Sequence, residues 1–203
     1  MPLLDPISSV TEALRKSNVI GDVIPDKLTF QPTVLFSIRW GDREVMLGNE
    51  LDKSDTVQEP TVTLMPMSAT EGNATYTLAM LDPDAPSHED RKYGPFRHWL
   101  ISKMRPPTPS DVESAAATEE GLLLTQSFKP ITTYRPPGPG TGTGSHRYVF
   151  LLFREPENGY NLPSNAPEYG DTLEERRKWS PMQFAANHGL VLVGANYFVL
   201  ASE

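Results

Sequence analysis

At 203 residues, with 38% hydrophobic and 22% charged side chains, the chain has the length and composition of one soluble domain with a sizeable core. Its formal net charge of -8 argues against nucleic acid as a main partner. It contains no cysteine, which excludes a disulfide framework, a thiolate metal site and a thiol nucleophile.

The start, MPLLDPISSV, carries Asp5 and no basic region, so it does not read as a secretory signal, and no apolar run approaches the roughly 18 residues that span a bilayer. A cytoplasmic protein is the default. Ser9-Val10-Thr11-Glu12 predicts a capping box, followed by a short helix that presents Val10, Ala13 and Leu14 and ends near Asn18. From Val34 the period becomes two, with Val34, Phe36 and Ile38 alternating with Leu35, Ser37 and Arg39. Further strands are expected at 44–47, 61–66, 75–81, 97–104, 122–128, 146–153 and 190–200. Gly194 interrupts the last in the manner of a bulge or a close packing contact. Asn73-Ala74-Thr75 fits a glycosylation sequon but reads as a chance match without an export signal. Arg105–Ser110 and the run from Arg135 to Gly144 are loops by composition. Thr172-Leu173-Glu174-Glu175 predicts a capped helix, and Ser180-Pro181-Met182-Gln183 predicts another, closed by Gly189. The 20 prolines, about twice average usage, favour fixed loops over long helices. Many strands and few short helices imply a β-rich core of antiparallel sheets.

Three stretches carry chemistry. Asp82-Pro83-Asp84-Ala85-Pro86 empties a strand into a polar turn, and Phe96-Arg97-His98-Trp99-Leu100 returns from it. The run Arg135-Pro136-Pro137-Gly138-Pro139-Gly140-Thr141-Gly142-Thr143-Gly144 reads either as a linker or as a loop anchored by the apolar strand it enters, whose glycine N–H groups form an anion nest. In that strand His146 and Tyr148 leave the same face. Asp82 or Asp84 beside a histidine favours the imidazolium, which suits a phosphate or carboxylate ligand. An Asp–His–His set also suits zinc, although no closely spaced ligand pair such as His-x-x-x-His occurs. Ser87 and Ser145 lie near the histidines without a nucleophile-elbow motif. Gly94-Pro95 admits a cis or a trans turn.

Taken together, Asp82-Pro83-Asp84-Ala85-Pro86-Ser87, Phe96–Leu100 and Gly144-Ser145-His146-Arg147-Tyr148-Val149-Phe150 resemble the signatures of the phosphatidylethanolamine-binding protein family. The resemblance runs from about Phe30 to Tyr197. The leading segment with Asp22-Val23-Ile24-Pro25-Asp26 resembles the fungal branch that includes the carboxypeptidase Y inhibitor. The resemblance implies a mainly β fold: a large central antiparallel sheet packed by a smaller sheet, with a few short peripheral helices, in one domain over 1–203 that opens with an N-terminal helical segment, 1–25. It implies a small pocket for phosphate, acetate or a phosphorylated headgroup, lined by Asp82, His98, His146 and Tyr148. Pro86, Phe96 and Pro139 would shape its walls, Asp84 would organise the turn, and Gly94-Pro95 would be cis. Phe96 stands where an indole is common and Thr141 where many members carry lysine, which weakens anion attraction at the rim. The end of the chain soon after Tyr197 is expected to leave the pocket open.

The implied function is non-enzymatic: a phosphate- or phospholipid-headgroup-binding regulator that inhibits a serine carboxypeptidase, with Pro2–Asn18 supplying contact surface. Packing of that helix on the chain's own sheet is the alternative. A modulator of kinases or Ras regulators and a lipid headgroup binder are the competing functions. No catalytic residue, metal or cofactor is implied, and the net charge speaks against stable membrane attachment.

Overall fold

The alternating run at Val34 forms the centre of the smaller of two sheets. In the computed structural model, which describes residues 6–68, 72–106 and 129–202, β1 (Val34–Trp40) pairs antiparallel with β2 (Arg43–Glu44) and β3 (Thr61–Pro66) in the order β2-β1-β3. The strand expected over 44–47 stops at Glu44. Leu47 and Gly48 take left-handed angles there, and Asn49 Oδ1 accepts the Met46 N–H, turning the chain away. The strand expected at 122–128 lies outside the described residues, as does most of the loop Arg105–Ser110.

The larger sheet joins β4 (Tyr76–Asp82), β5 (Phe96–Met104), β6 (Ser145–Arg154) and β7 (Val191–Ala201) in the antiparallel order β5-β4-β6-β7. Both edges carry further backbone bonds in part: Gly48 and Leu51 bond β7 at Tyr197 and Val199, and Ile131 and Thr132 bond Leu100 on β5. The architecture is mainly β, with a larger and a smaller antiparallel sheet and few short helices.

The larger sheet is buried on both faces. Leu78, Met80, Trp99, Phe150 and Leu152 meet Phe36, Ile38, Val62 and Leu64 of the smaller sheet. On the opposite face, Leu81, Leu100, Leu151 and Phe153 meet Leu14, Ile24, Trp179 and Phe184. Double burial is why Val149–Phe153 reads as a continuous apolar run without alternation. Gly194 marks both a register shift against β6 and a close approach. A Cβ there would stand 2.7 Å from the Val34 carbonyl oxygen and 2.9 Å from the Phe36 ring. Gly194→Ala is therefore expected to destabilise the fold by about 1–3 kcal/mol through overpacking, read from the midpoint of urea unfolding.

The first helix, α1 (Pro6–Lys16), begins three residues ahead of the expected capping box. Ser9 and Glu12 consequently sit inside it. The described helix runs from Pro6. Leu14 is fully buried against the larger sheet, whereas Ser8, Glu12, Arg15 and Lys16 are exposed. The apolar side of α1 thus packs on the chain's own sheet. Both later helices start where their caps predict: α2 (Leu173–Arg176) with the Thr172/Glu175 capping box, and α3 (Pro181–His188) with Ser180 accepting the Gln183 N–H and Gly189 in the left-handed conformation.

Candidate functional site

Period two along β6 sends His146 and Tyr148 to the face shared with the smaller sheet, and Arg147 to the opposite face. Along β5 the geometry is less regular. Met80 pairs with Trp99 but Leu81 pairs with Arg97, which leaves His98 as the extra residue of a bulge. The bulge changes the phase of the strand. Phe96 and His98 therefore share the face of Trp99 and Ile101, while Arg97 is buried on the other side, where its Nε donates to Thr132 Oγ1 at 2.7 Å.

These strand ends, the turn after β4 and the loop before β6 enclose a cavity of about 280 Å³. Asp82, Pro86, Phe96, His98, Pro139, His146 and Tyr148, all seven residues singled out in the sequence, line it. The Ala85–Pro86 and Gly94–Pro95 bonds are both cis; the first has no counterpart in the sequence reading. Gly94 has no room for a side chain, because a Cβ would collide with the Pro83 carbonyl oxygen.

The environments of the two histidines push their pKa values in opposite directions. His146 Nδ1 donates to Asp82 Oδ2 at 2.7 Å, and both side chains are buried. The Thr143 hydroxyl donates to the Gly140 carbonyl at 2.7 Å, so its oxygen is free to accept from His146 Nε2 at 3.0 Å. Two donating ring nitrogens describe an imidazolium. Burial opposes that charge, but the Asp82 carboxylate outweighs it and raises the His146 pKa above its ordinary value. In contrast, His98 Nδ1 donates to the Arg135 carbonyl at 2.8 Å, while the Arg135 N–H donates back to the His98 carbonyl at 2.9 Å. This reciprocal pair selects the Nδ1–H tautomer and leaves Nε2 as an acceptor. Burial lowers the His98 pKa to about 4; the Asp82 charge only partly offsets that, and the Arg176 and Arg135 cations act in the same direction as burial. Tyr148 stays a phenol, its pKa pushed up by burial. Its oxygen accepts the Gly138 N–H at 3.3 Å, which leaves its proton available.

Asp84 organises the turn, as expected, but from the opposite face. Its buried carboxylate accepts from the Arg147 N–H at 2.9 Å, Nε at 2.9 Å and Nη2 at 2.7 Å. Arg147 continues to the Ser17 carbonyl at 2.7 Å and to Asp22 at 2.8 Å, tying the turn to the segment after α1. The histidine held charged by a carboxylate is thus His146 with Asp82, and Asp84 serves an arginine.

The proline-glycine loop is the anchored one of the two readings its sequence allowed, a cavity wall with Gly138, Pro139 and Gly140 lining the site. Two of its glycine N–H groups are already used, Gly138 donating to Tyr148 and Gly144 to Ser202 Oγ. Thr141 belongs to a neighbouring cleft, and Arg135 and Arg177 line the cavity instead. Arg177 lies over the Tyr93 ring at 3.9 Å. Neither arginine carries a signal in the sequence, since their meeting depends on how the 135–144 loop and α2 pack against β5. Ser87 and Ser145 do not line the cavity. Among the described residues no three His, Asp or Glu side chains gather as a metal site, and no helix is long and apolar enough to cross a membrane.

Comparison with known proteins agrees with this architecture. The chain is 28% identical to the carboxypeptidase Y inhibitor of Saccharomyces cerevisiae, over 96% of each chain. Its fold matches a crystal structure of carboxypeptidase Y inhibitor complexed with the cognate proteinase, with a TM-score of 0.72 at 22% identity over 98% of both chains. A phosphatidylethanolamine-binding protein from Plasmodium vivax matches with a TM-score of 0.73 at 23% identity, over 95% of this chain and 97% of that one. The phosphatidylethanolamine-binding protein family model matches residues 39–198, which contain most of the larger sheet and every residue of the cavity, and the chain belongs to that family.

Proposed function

We propose that this protein is a non-enzymatic regulator that holds an anion in the cavity between β4, β5 and β6 and inhibits a serine carboxypeptidase. The observation that carries the anion reading is the donor set. The Tyr148 hydroxyl proton and the residues His98, His146, Arg135 and Arg177 line one small space whose sole lining carboxylate, Asp82, is already paired with His146. Charge-assisted donors of this kind suit phosphate and carboxylate. The inhibitor reading is supported by the relative of that name, whose likeness extends over the N-terminal segment as well as the sheets. The exposed side of α1, with Glu12, Arg15 and Lys16, is the accessible part of that segment.

The decisive assay measures inhibition of a vacuolar-type serine carboxypeptidase by the full chain and by a chain lacking residues 1–5. This deletion spares Leu14 and the Ser17 carbonyl, which the fold uses. Strong inhibition by the full chain is the expected result; its loss on deletion would place the contact in residues 1–5, and its retention would leave the contact on the exposed side of α1. No inhibition by the intact chain would remove the protease reading. In a separate titration, His146→Ala is expected to weaken inorganic phosphate binding at least tenfold, about what loss of one charge-assisted contact costs; unchanged affinity would place the anion elsewhere.

A further inference from the structure

We propose that the protein carries a second ligand site, remote from the anion cavity, that takes a single-chain alkyl carboxylate such as a free fatty acid. The site is a cavity of about 820 Å³ between the 25–33 segment, α3 and the start of β7. It shares no residue with the anion cavity. His146 lies near the start of β6 and lines one; Arg154 ends β6 and lines the other, roughly 25 Å away at ~3.3 Å per residue along the strand.

The first ground is the lining. Phe30, Ala185, Leu190 and Val193 form a buried apolar floor, whereas Leu28 and Val191, on different walls, are 45% and 48% exposed. Ala185 and Ala186 stand where α3 meets the space, and side chains that short leave it unfilled. Exposed apolar residues scattered singly need no explanation, but here they converge on one concavity. Largely apolar hollows of this size are the form that small-molecule sites take.

The second ground is charge. The chain has 26 Asp and Glu against 18 Lys and Arg, yet no carboxylate is found among the described residues that line this cavity. Its charged lining is Lys27 and Arg154. Each stands beside an exposed apolar side chain. Lys27 precedes Leu28 in the chain, and Arg154 pairs with Val191 across the ladder, which places both on one face of the sheet. A cation next to apolar surface, on each of two walls, complements a molecule with one anionic end and an apolar body. The planar fork of Arg154 matches a carboxylate. An alkyl chain brings no polar group to the floor, whereas a peptide would have to desolvate its amides there. An alkylammonium is repelled by both cations.

The test titrates the full chain by calorimetry at pH 7 with octanoate, decanoate and dodecanoate, with dodecyltrimethylammonium, and with acetylated trileucine bearing a free carboxylate. Dodecanoate is expected to bind one-to-one, at least tenfold more tightly than the ammonium or the tripeptide. Affinity should fall about tenfold for every two carbons removed. Leu28→Asp and Lys27→Glu alter exposed side chains and should leave the urea midpoint unchanged. They are expected to weaken dodecanoate about tenfold and about fivefold. No dodecanoate binding, adsorption of several molecules per chain, or equal affinity for the ammonium would overturn the inference, as would unchanged affinity in either variant. Equal binding of the tripeptide would assign the site to a peptide terminus and overturn the alkyl assignment. Displacement of dodecanoate by inorganic phosphate would put the carboxylate in the anion cavity and overturn it too. Failure of phosphate alone to bind would remove the anion reading and leave this site standing.

Discussion

Arg147→Met is expected to lower the unfolding free energy by about 3–5 kcal/mol, the typical cost of removing one partner of a buried ion pair. Arg147 donates three hydrogen bonds to Asp84, whose side chain is completely shielded from solvent, and further bonds to the Ser17 carbonyl and Asp22. The backbone N–H bond survives the substitution. The side-chain bonds do not, and Asp84 retains that N–H and its contacts with His88 and Arg91. Burial raises the Asp84 pKa on its own, but Arg147 outweighs it and the net shift is downward. Without the Arg147 guanidinium the buried carboxylate must remain charged with fewer partners or take up a proton. Urea unfolding of R147M beside the double variant D84N/R147M measures the effect. Substantial recovery in the double variant identifies the unpaired charge as the cause. A loss below about 1 kcal/mol in R147M would show that the network contributes no more than an exposed salt bridge. Because Arg147 also fastens residues 17–22, R147M should speed backbone hydrogen exchange there more than in β1–β3.

Stability is expected to fall by up to about 3 kcal/mol as pH drops from 6.5 to 4, because of His98 alone. The folded-state pKa of about 4 lies below the ordinary 6.5. Between these values the unfolded chain binds a proton at this position and the folded chain does not, so lowering the pH favours unfolding. His146 works in the other range. Its pKa is raised, so its contribution is complete below pH 6.5 and is lost as pH rises through its folded value. Asp22 and Asp84, with depressed pKa values, contribute above the usual carboxylate range and are lost only as pH falls through their folded values. These signs place the decline between pH 6.5 and 4 on His98. His98→Phe, which cannot titrate, should flatten the unfolding midpoint across that interval. An undiminished slope in H98F would show that another group is responsible.

Much of this arrangement is legible in the residues. The period of two at Val34, the unbroken apolar run at Val149 and the two capped helices near the C-terminus all carry local signals, because backbone geometry and capping act within a few residues. Six of the seven cavity residues are nameable because they sit in the motif stretches at strand ends, Pro139 because it lies in the loop that enters β6, and Gly94-Pro95 because its setting matches a family pattern. The start of α1 was misplaced because Ser9 and Glu12 imitate a cap, whereas the helix already runs from Pro6.

By itself, then, the sequence determined the mainly β class, the family and the side chains that would meet. Tertiary structure alone decided their protonation and their surroundings. Whether His98 or His146 carries charge depends on which one faces Asp82 and which one faces the Arg135 carbonyl, contacts that join residues 64 and 37 positions apart. The bulge at His98 depends on pairing with β4, and the Arg135–Arg177 rim depends on a loop and a helix converging from opposite sides of β6 in the chain. Local chemistry is written residue by residue. Electrostatics is a sum over neighbours, and only the folded chain chooses the neighbours.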